Sequence, residues 1–139
     1  MAQTEVKATN LTDEDRKFIA KYRDGLTEST LRAKWIHSPD ERPDHDGQTL
    51  ATRSHEVIRA WAEARGARPA TVPGTEHDGL PGVLRFDFGE PTEGLQEIDW
   101  DTFFKAFDRR NLVFVFQETT QDGKQSNFFI FDSPDRQDG

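Results

Sequence analysis

Residues 35–56, WIHSPDERPDHDGQTLATRSHE, hold three of the chain's four histidines, His37, His45 and His55, among five carboxylates. Imidazole and carboxylate suffice as zinc ligands, so these three histidines with Asp44 or Asp46 define one candidate centre, that of a metal-dependent hydrolase. The spacing speaks against it. Ligand pairs on a helix stand at i, i+4, as in H-E-x-x-H, whereas these histidines are eight and ten residues apart. The chain has no cysteine, which removes thiol nucleophiles, Cys-ligated metals and disulfides together. It has no G-x-S-x-G elbow and no Ser-x-x-Lys pair, and PGTEHDGLPG (73–82), where His77 falls in a turn, lacks the lysine and following helix of a phosphate loop. Carboxylate pairs at 13–15, 40–46 and 97–101 arise readily among 26 acidic residues and read as solvated surface. No catalytic residue and no cofactor follow from these patterns.

A second candidate concerns binding. SHEVIRAWAEARGARPA (54–70) carries Arg59, Arg65 and Arg68 as a basic edge beside an apolar stripe headed by Trp61. An I-R-x-W-A run before a glycine and a basic turn is similar to the helix of small DNA-binding and SAP-like modules, which implies a nucleic-acid interface at those three arginines. Two facts weigh on the other side. Arginine near a helix C-terminus also stabilises the helix dipole, and a net charge of −8 with a pI near 5.0 repels phosphate backbones.

The elements that must position these residues are legible from caps and periods. Thr12 before Asp13-Glu14-Asp15 opens a first helix with Phe18, Ile19 and Tyr22 on one stripe and Gly25 at its end. Thr27 caps a second helix from Glu28 to about Ile36, with Leu31 and Trp35 on one face and Pro39 beyond it. The turn signals Ser38-Pro39-Asp40, Arg42-Pro43-Asp44 and Asp46-Gly47 then make the histidine-rich stretch a solvated connection. Ser54 caps a third helix, with Val57, Ile58, Trp61 and Ala62 on one side and Gly66 as its stop. Asp99 caps a fourth, whose Trp100, Phe103, Phe104 and Phe107 fall at i, i+3, i+4 and i+7, with Asn111 suited to a left-handed stop.

Strands are expected near 69–73, 83–88, 112–119 and 125–132. The last two flank Asp122-Gly123 as a hairpin whose two-residue turn sets Phe114 opposite Phe131 and Phe116 opposite Phe129. Ten of the eleven phenylalanines lie after residue 83, which places the core in the C-terminal half. Residues 1–10 and 133–139 read as flexible tails. The fold class is α+β: one domain over 11–132, with 11–50 a helical extension on a 52–132 core, and a small, mainly antiparallel sheet of about four strands packed by helices.

Within residues 52–131, SHEVIRAWAEARGARPATVPGTEHDGLPGVLRFDF, LQEIDWDTFFKAFDRRNLVFVFQE and DGKQSNFF together resemble a small family of bacterial and haloarchaeal proteins. Its pattern runs D-H-D-x-I-R-x-W-A-E-x-R-G, L-R-I-D-F, W-x-x-F-F-x-x-F-D, Q-E and D-G-x-x-S-x-F. Some members carry the label of glucan branching enzymes, which resemble large barrels that 139 residues cannot supply. The resemblance implies no activity and transfers no catalytic residue. Ser54 also stands where the family has Asp, and Pro73 where it has Lys before Gly74. The expected function is a non-enzymatic binding or adaptor protein, with stress response as its suggested setting and a protein or small molecule as partner. MAQTEVKATN lacks a signal-peptide apolar core and no run nears the ~20 apolar residues of a membrane span, so the expected location is cytoplasmic, with no membrane partner.

Overall fold

The computed structural model describes residues 5–134. In chain order the elements are α1 (Asp13–Tyr22), α2 (Glu28–Arg32), β1 (Lys34–Trp35), β2 (Leu50–Thr52), α3 (His55–Ala64), β3 (Ala67–Thr71), β4 (Leu84–Phe88), β5 (Gln96–Glu97), α4 (Trp100–Arg109), β6 (Val113–Phe116) and β7 (Phe129–Asp132), with a 3-10 turn at Arg23–Gly25. The class is α+β. Its strands form two sheets where the sequence suggests one: β1-β2-β6-β7, and β4-β3-β5. All pairs are antiparallel except β1 with β2.

Contacts divide the chain into two compact units, Met1–Ile58 with Leu112–Gly139, and Arg59–Asn111, the division falling within α3. The first unit is built around the four-stranded sheet. The Thr12 hydroxyl accepts from Asp15 N–H and the Asp15 carboxylate accepts from Thr12 N–H, a reciprocal cap that starts α1. Ile19, Leu26, Leu31, Trp35 and Ala51 pack with Val113 and Val115, so the N-terminal part supplies core residues and the core is not confined to the C-terminal half. The second helix stops at Arg32 instead of Ile36. Lys34 and Trp35 are drawn into parallel pairing with Leu50 and Ala51, where Trp35 is buried and its indole N–H reaches Thr30 O at 3.2 Å. Tertiary pairing here overrides a continuous helical stripe.

The histidine-rich connection is likewise shorter than expected. Its last residues, Leu50–Thr52, are a fully buried strand between β1 and β6. Residues 5–10, anticipated as tail, carry backbone bonds: Lys7 N–H to Leu31 O and Thr9 N–H to Ala33 O, with Trp35 N–H returned to Thr9 O. At the other end Pro134, also anticipated as tail, is buried, and the remaining tail positions 1–4 and 135–139 lie outside the described residues.

The hairpin keeps the expected register, Phe114 opposite Phe131 and Phe116 opposite Phe129, but reaches it by another route. Gly123 N–H bonds back to Thr120 O and Thr120 N–H to Lys124 O, with Gly123 at φ +82°. The tip is therefore a three-residue loop with a left-handed glycine, and Thr119 pairs Gln125. Between that bridge and the Phe116–Phe129 pair the outgoing arm has two residues and the returning arm three. The extra residue restores the pairing that a two-residue turn would have set.

The Arg59–Asn111 unit is organised by aromatic rings. Phe86 from β4 stacks on Phe103 from α4 at 5.4 Å and lies 5.9 Å from Trp61 of α3. Asp99 caps α4 by accepting from Thr102 N–H at 2.7 Å, and Asn111 follows at φ +55°, as its sequence predicts.

A groove beside Trp100

Pro69 sits in the central strand of the three-stranded sheet and decides where that sheet ends. Its carbonyl accepts from Ile98 N–H at 3.0 Å, but the proline ring nitrogen has no hydrogen to return. Pairing with β5 is confined to Ala70–Glu97 and Thr71–Gln96, and the chain leaves the sheet at Asp99 to start α4. The departure opens a groove of about 410 Å³ lined by Glu63, Arg68, Pro69, Glu97, Asp99 and Trp100.

The groove is acidic with one aromatic wall. Trp100 is half-buried and stacks on Phe104 at 5.3 Å. Arg59 lies 5.8 Å from its ring centroid and is held there by Glu63 at 2.9 Å, a cation on a ring face steadied by a carboxylate. Arg68 reaches Glu97 at 3.5 Å and Asp87 at 3.7 Å. Asp87 is buried. Hydrogen bonds from the Thr92 hydroxyl and N–H, with the nearby Arg68 charge, hold its carboxyl below the usual 3.8. The Thr102 hydrogen bonds do the same for Asp99.

The three arginines of the basic edge thus have local partners. Arg59 has Glu63 and Trp100, Arg65 lies over Trp61 at 4.3 Å while donating to Trp61 O, and Arg68 has Asp87 and Glu97. None presents a guanidinium without a neighbouring acceptor or ring.

The histidines go to different surroundings. His37 sits between two carboxylates, its Nε2 at 2.5 Å from Asp15 and its Nδ1 at 3.5 Å from Glu41. Glu41 also accepts from His37 N–H and from the Asn10 amide. Partial burial raises the Glu41 carboxyl, but these hydrogen bonds and the His37 charge outweigh it and leave the group below its usual 4.5. With both ring nitrogens facing carboxylates, His37 offers no open nitrogen to a substrate. His45 places Nδ1 at 3.1 Å from Asp46 O and lines a separate polar concavity of about 390 Å³ with Glu28, Arg32 and Gln48. Nearby Asp44 is held below the usual range chiefly by Lys34 and Gln48. His55 is the exposed first residue of α3, and His77 is exposed beside Leu80. Among the described residues, no group of three or more His, Asp or Glu side chains is arranged to hold a metal ion, so His37, His45 and His55 do not come together as ligands.

The groove itself is not apparent in the sequence. Pro69 inside a strand is the one signal that pairing must fail there, and β5, two exposed polar residues, has no readable period. Compared with protein-family models, curated proteins and solved structures, the chain gives no significant match. Among the described residues no helix is long and apolar enough to cross a membrane.

Proposed function

We propose that this protein is a non-catalytic binding module whose groove beside Trp100 receives a cationic group, such as a lysine or arginine side chain of an extended peptide. The observation that carries the reading is Arg59, a guanidinium of the chain itself resting over Trp100 and held by Glu63. It supports the reading that a face of the Trp100 ring can carry a guanidinium. The Arg59–Glu63 pair is more than half exposed on both sides, and such surface pairs are worth about 0–1 kcal/mol, so displacing it costs little. Glu63, Glu97 and Asp99 outnumber Arg68 along the groove, which favours a cation and disfavours phosphate. The family that residues 52–131 resemble implies no activity, so the proposal stands on the groove alone.

Titration with short lysine- or arginine-bearing peptides, followed by the Trp100 indole resonance, tests it. The expected outcome is a saturable shift that is weakened by Glu63→Gln, with peptide binding measured by calorimetry lost in Trp100→Ala. A nucleic-acid reading through Arg59, Arg65 and Arg68 predicts the reverse: oligonucleotide binding that falls steeply with salt and disappears when the three become alanine. A Trp100 resonance unmoved by any cationic peptide overturns the proposal.

A further inference from the structure

Where β5 departs, the strand it was pairing with continues. β3 keeps β4 along its whole length, Ala67–Thr71, on one side, whereas on the other β5 reaches only Ala70 and the Ile98 N–H bond to Pro69 O is the last. In an antiparallel sheet the N–H and C=O of one residue point to the same side, and alternate residues address the same neighbour. The Pro69 carbonyl faces β5, so Ala67, two residues before it, turns its own N–H and C=O toward that side as well. Counting on from the Ala70–Glu97 pair, an unbroken β5 would bring residue 100 opposite Ala67. Asp99 caps α4 instead and Trp100 begins the helix, so no strand among the described residues meets Ala67 on that edge. Ala67 and Trp100 both line the groove.

We infer that the groove takes its ligand as a strand. An extended peptide of a partner protein lies in the line of β5, antiparallel to β3, with its backbone bonded to Ala67 and a lysine or arginine side chain directed to Trp100. This rests on the groove being a cation site and adds how the ligand backbone is held. β3 already takes both its neighbours antiparallel. A ligand residue opposite Ala67 accepts the Ala67 N–H on its carbonyl and gives its own N–H to Ala67 O. Its side chain falls on the sheet face shared by Ala67, Pro69 and Phe86, and Phe86 lies 6.2 Å from Trp100. This residue is therefore the cationic one. The residues before and after it project to the opposite face, where Arg68 pairs with Glu97 at 3.5 Å and polar, uncharged side chains fit. Charge selects the occupant, since Glu63, Glu97 and Asp99 face Arg68 alone along the groove of a chain with net charge −8. The edge thus recognises an extended segment in which one cation is flanked by polar residues.

Calorimetry and the Ala67 amide resonance of the full chain separate backbone recognition from cation binding alone. The probes are a blocked pentapeptide, Val-Thr-Lys-Thr-Val, three forms of it N-methylated at the lysine or at either threonine, and butylamine as a bare side-chain cation. The peptide should bind at least about tenfold more tightly than butylamine, and the Ala67 amide should shift and exchange more slowly as the site fills. Methylating the lysine nitrogen removes the N–H that faces Ala67 and should weaken binding about tenfold or more. Methylating either threonine, whose N–H points away from β3, should leave affinity within about twofold. Sensitivity at a threonine in place of the lysine overturns the antiparallel placement. Butylamine and all four peptides binding alike, with the Ala67 amide unmoved, overturns the inference and leaves the cation reading of the groove standing. No response to butylamine or to any peptide removes both.

Discussion

Each unit of this chain buries an aspartate, and each hydrogen-bonds it to threonine, over very different lengths of chain. In the sheet built from both ends of the sequence, Asp132 accepts from Thr27 N–H at 2.9 Å, from the Thr27 hydroxyl at 3.0 Å and from the Thr30 hydroxyl, across 105 and 102 positions. In the contiguous unit, Asp87 accepts from Thr92 N–H at 3.0 Å and from its hydroxyl at 2.5 Å, five positions away. Closing a free loop of about a hundred residues instead of about five costs roughly 2–3 kcal/mol more. The Asp132 cluster therefore reports that β7 has already met the start of α2, whereas the Asp87 turn can form from its own neighbourhood. One carboxylate locks a finished sheet, and the other shapes a local bend.

The strongest test of that contrast leaves both aspartates alone. Phe103→Ala removes a fully buried ring stacked on Phe86 and should cost about 3–5 kcal/mol in denaturant unfolding. An effect under about 1 kcal/mol would mean that the second unit does not depend on its aromatic packing. Next comes Asp132→Ala, which leaves two hydroxyls and one backbone N–H at a buried site without their acceptor and should cost about 2–3 kcal/mol. If the cluster forms late, the loss appears in a faster unfolding rate with folding nearly unchanged; a slowed folding rate would place it early. Thr12→Ala, a local contact within the same unit, should cost about 1 kcal/mol through loss of the α1 cap, measured by thermal melting.

The smallest effect is expected for Thr92→Ala, and its signature is in pH. The folded Asp87 carboxyl titrates below its ordinary 3.8. Its contribution is therefore fully present above about that pH and is lost as pH falls through the folded value. Removing Thr92 should move the Asp87 titration up toward 3.8 by NMR, and the stability difference between wild type and variant should fade on acidification. A difference that persists unchanged in acid would assign Thr92 a role apart from the carboxylate.

What the sequence discloses about this fold depends on length and locality. All four helices announce themselves through Thr12, Thr27, Ser54 and Asp99, because a cap bonds within three residues and leaves a local signature. The facing phenylalanines of the final hairpin are legible for the same reason. β1, β2 and β5 are two or three residues long, too short for a period of two to appear, and β1 pairs across a turn-rich stretch that carries its own loop signals. Trp35 is the instructive miss: four residues after Leu31 it fits a helical face, and only the distant partner Ala51 shows that it belongs to a strand. The histidines illustrate the limit for sites. Their types suggested a centre, but His37 is enclosed by Asp15 and Glu41, which lie on either side of it in sequence with no motif linking the three. The groove was hidden more deeply, since it arises from a hydrogen bond that Pro69 cannot donate.

The unequal arms of the hairpin bear on how this sequence can change. Counting from the Thr119–Gln125 bridge to the Phe116–Phe129 pair, the returning arm carries one residue more than the outgoing arm. Loss of Asn127, which lies between the Gln117–Phe128 and Glu118–Ser126 bonds, would even the count and leave every phenylalanine opposite its present partner. Loss of a residue between 117 and 118 would widen the mismatch, and smoothing it by slippage would place Phe114 against an aliphatic neighbour on the wrong face. The two arms thus have opposite tolerance for shortening, and deletions compatible with this fold should accumulate on only one side of the turn.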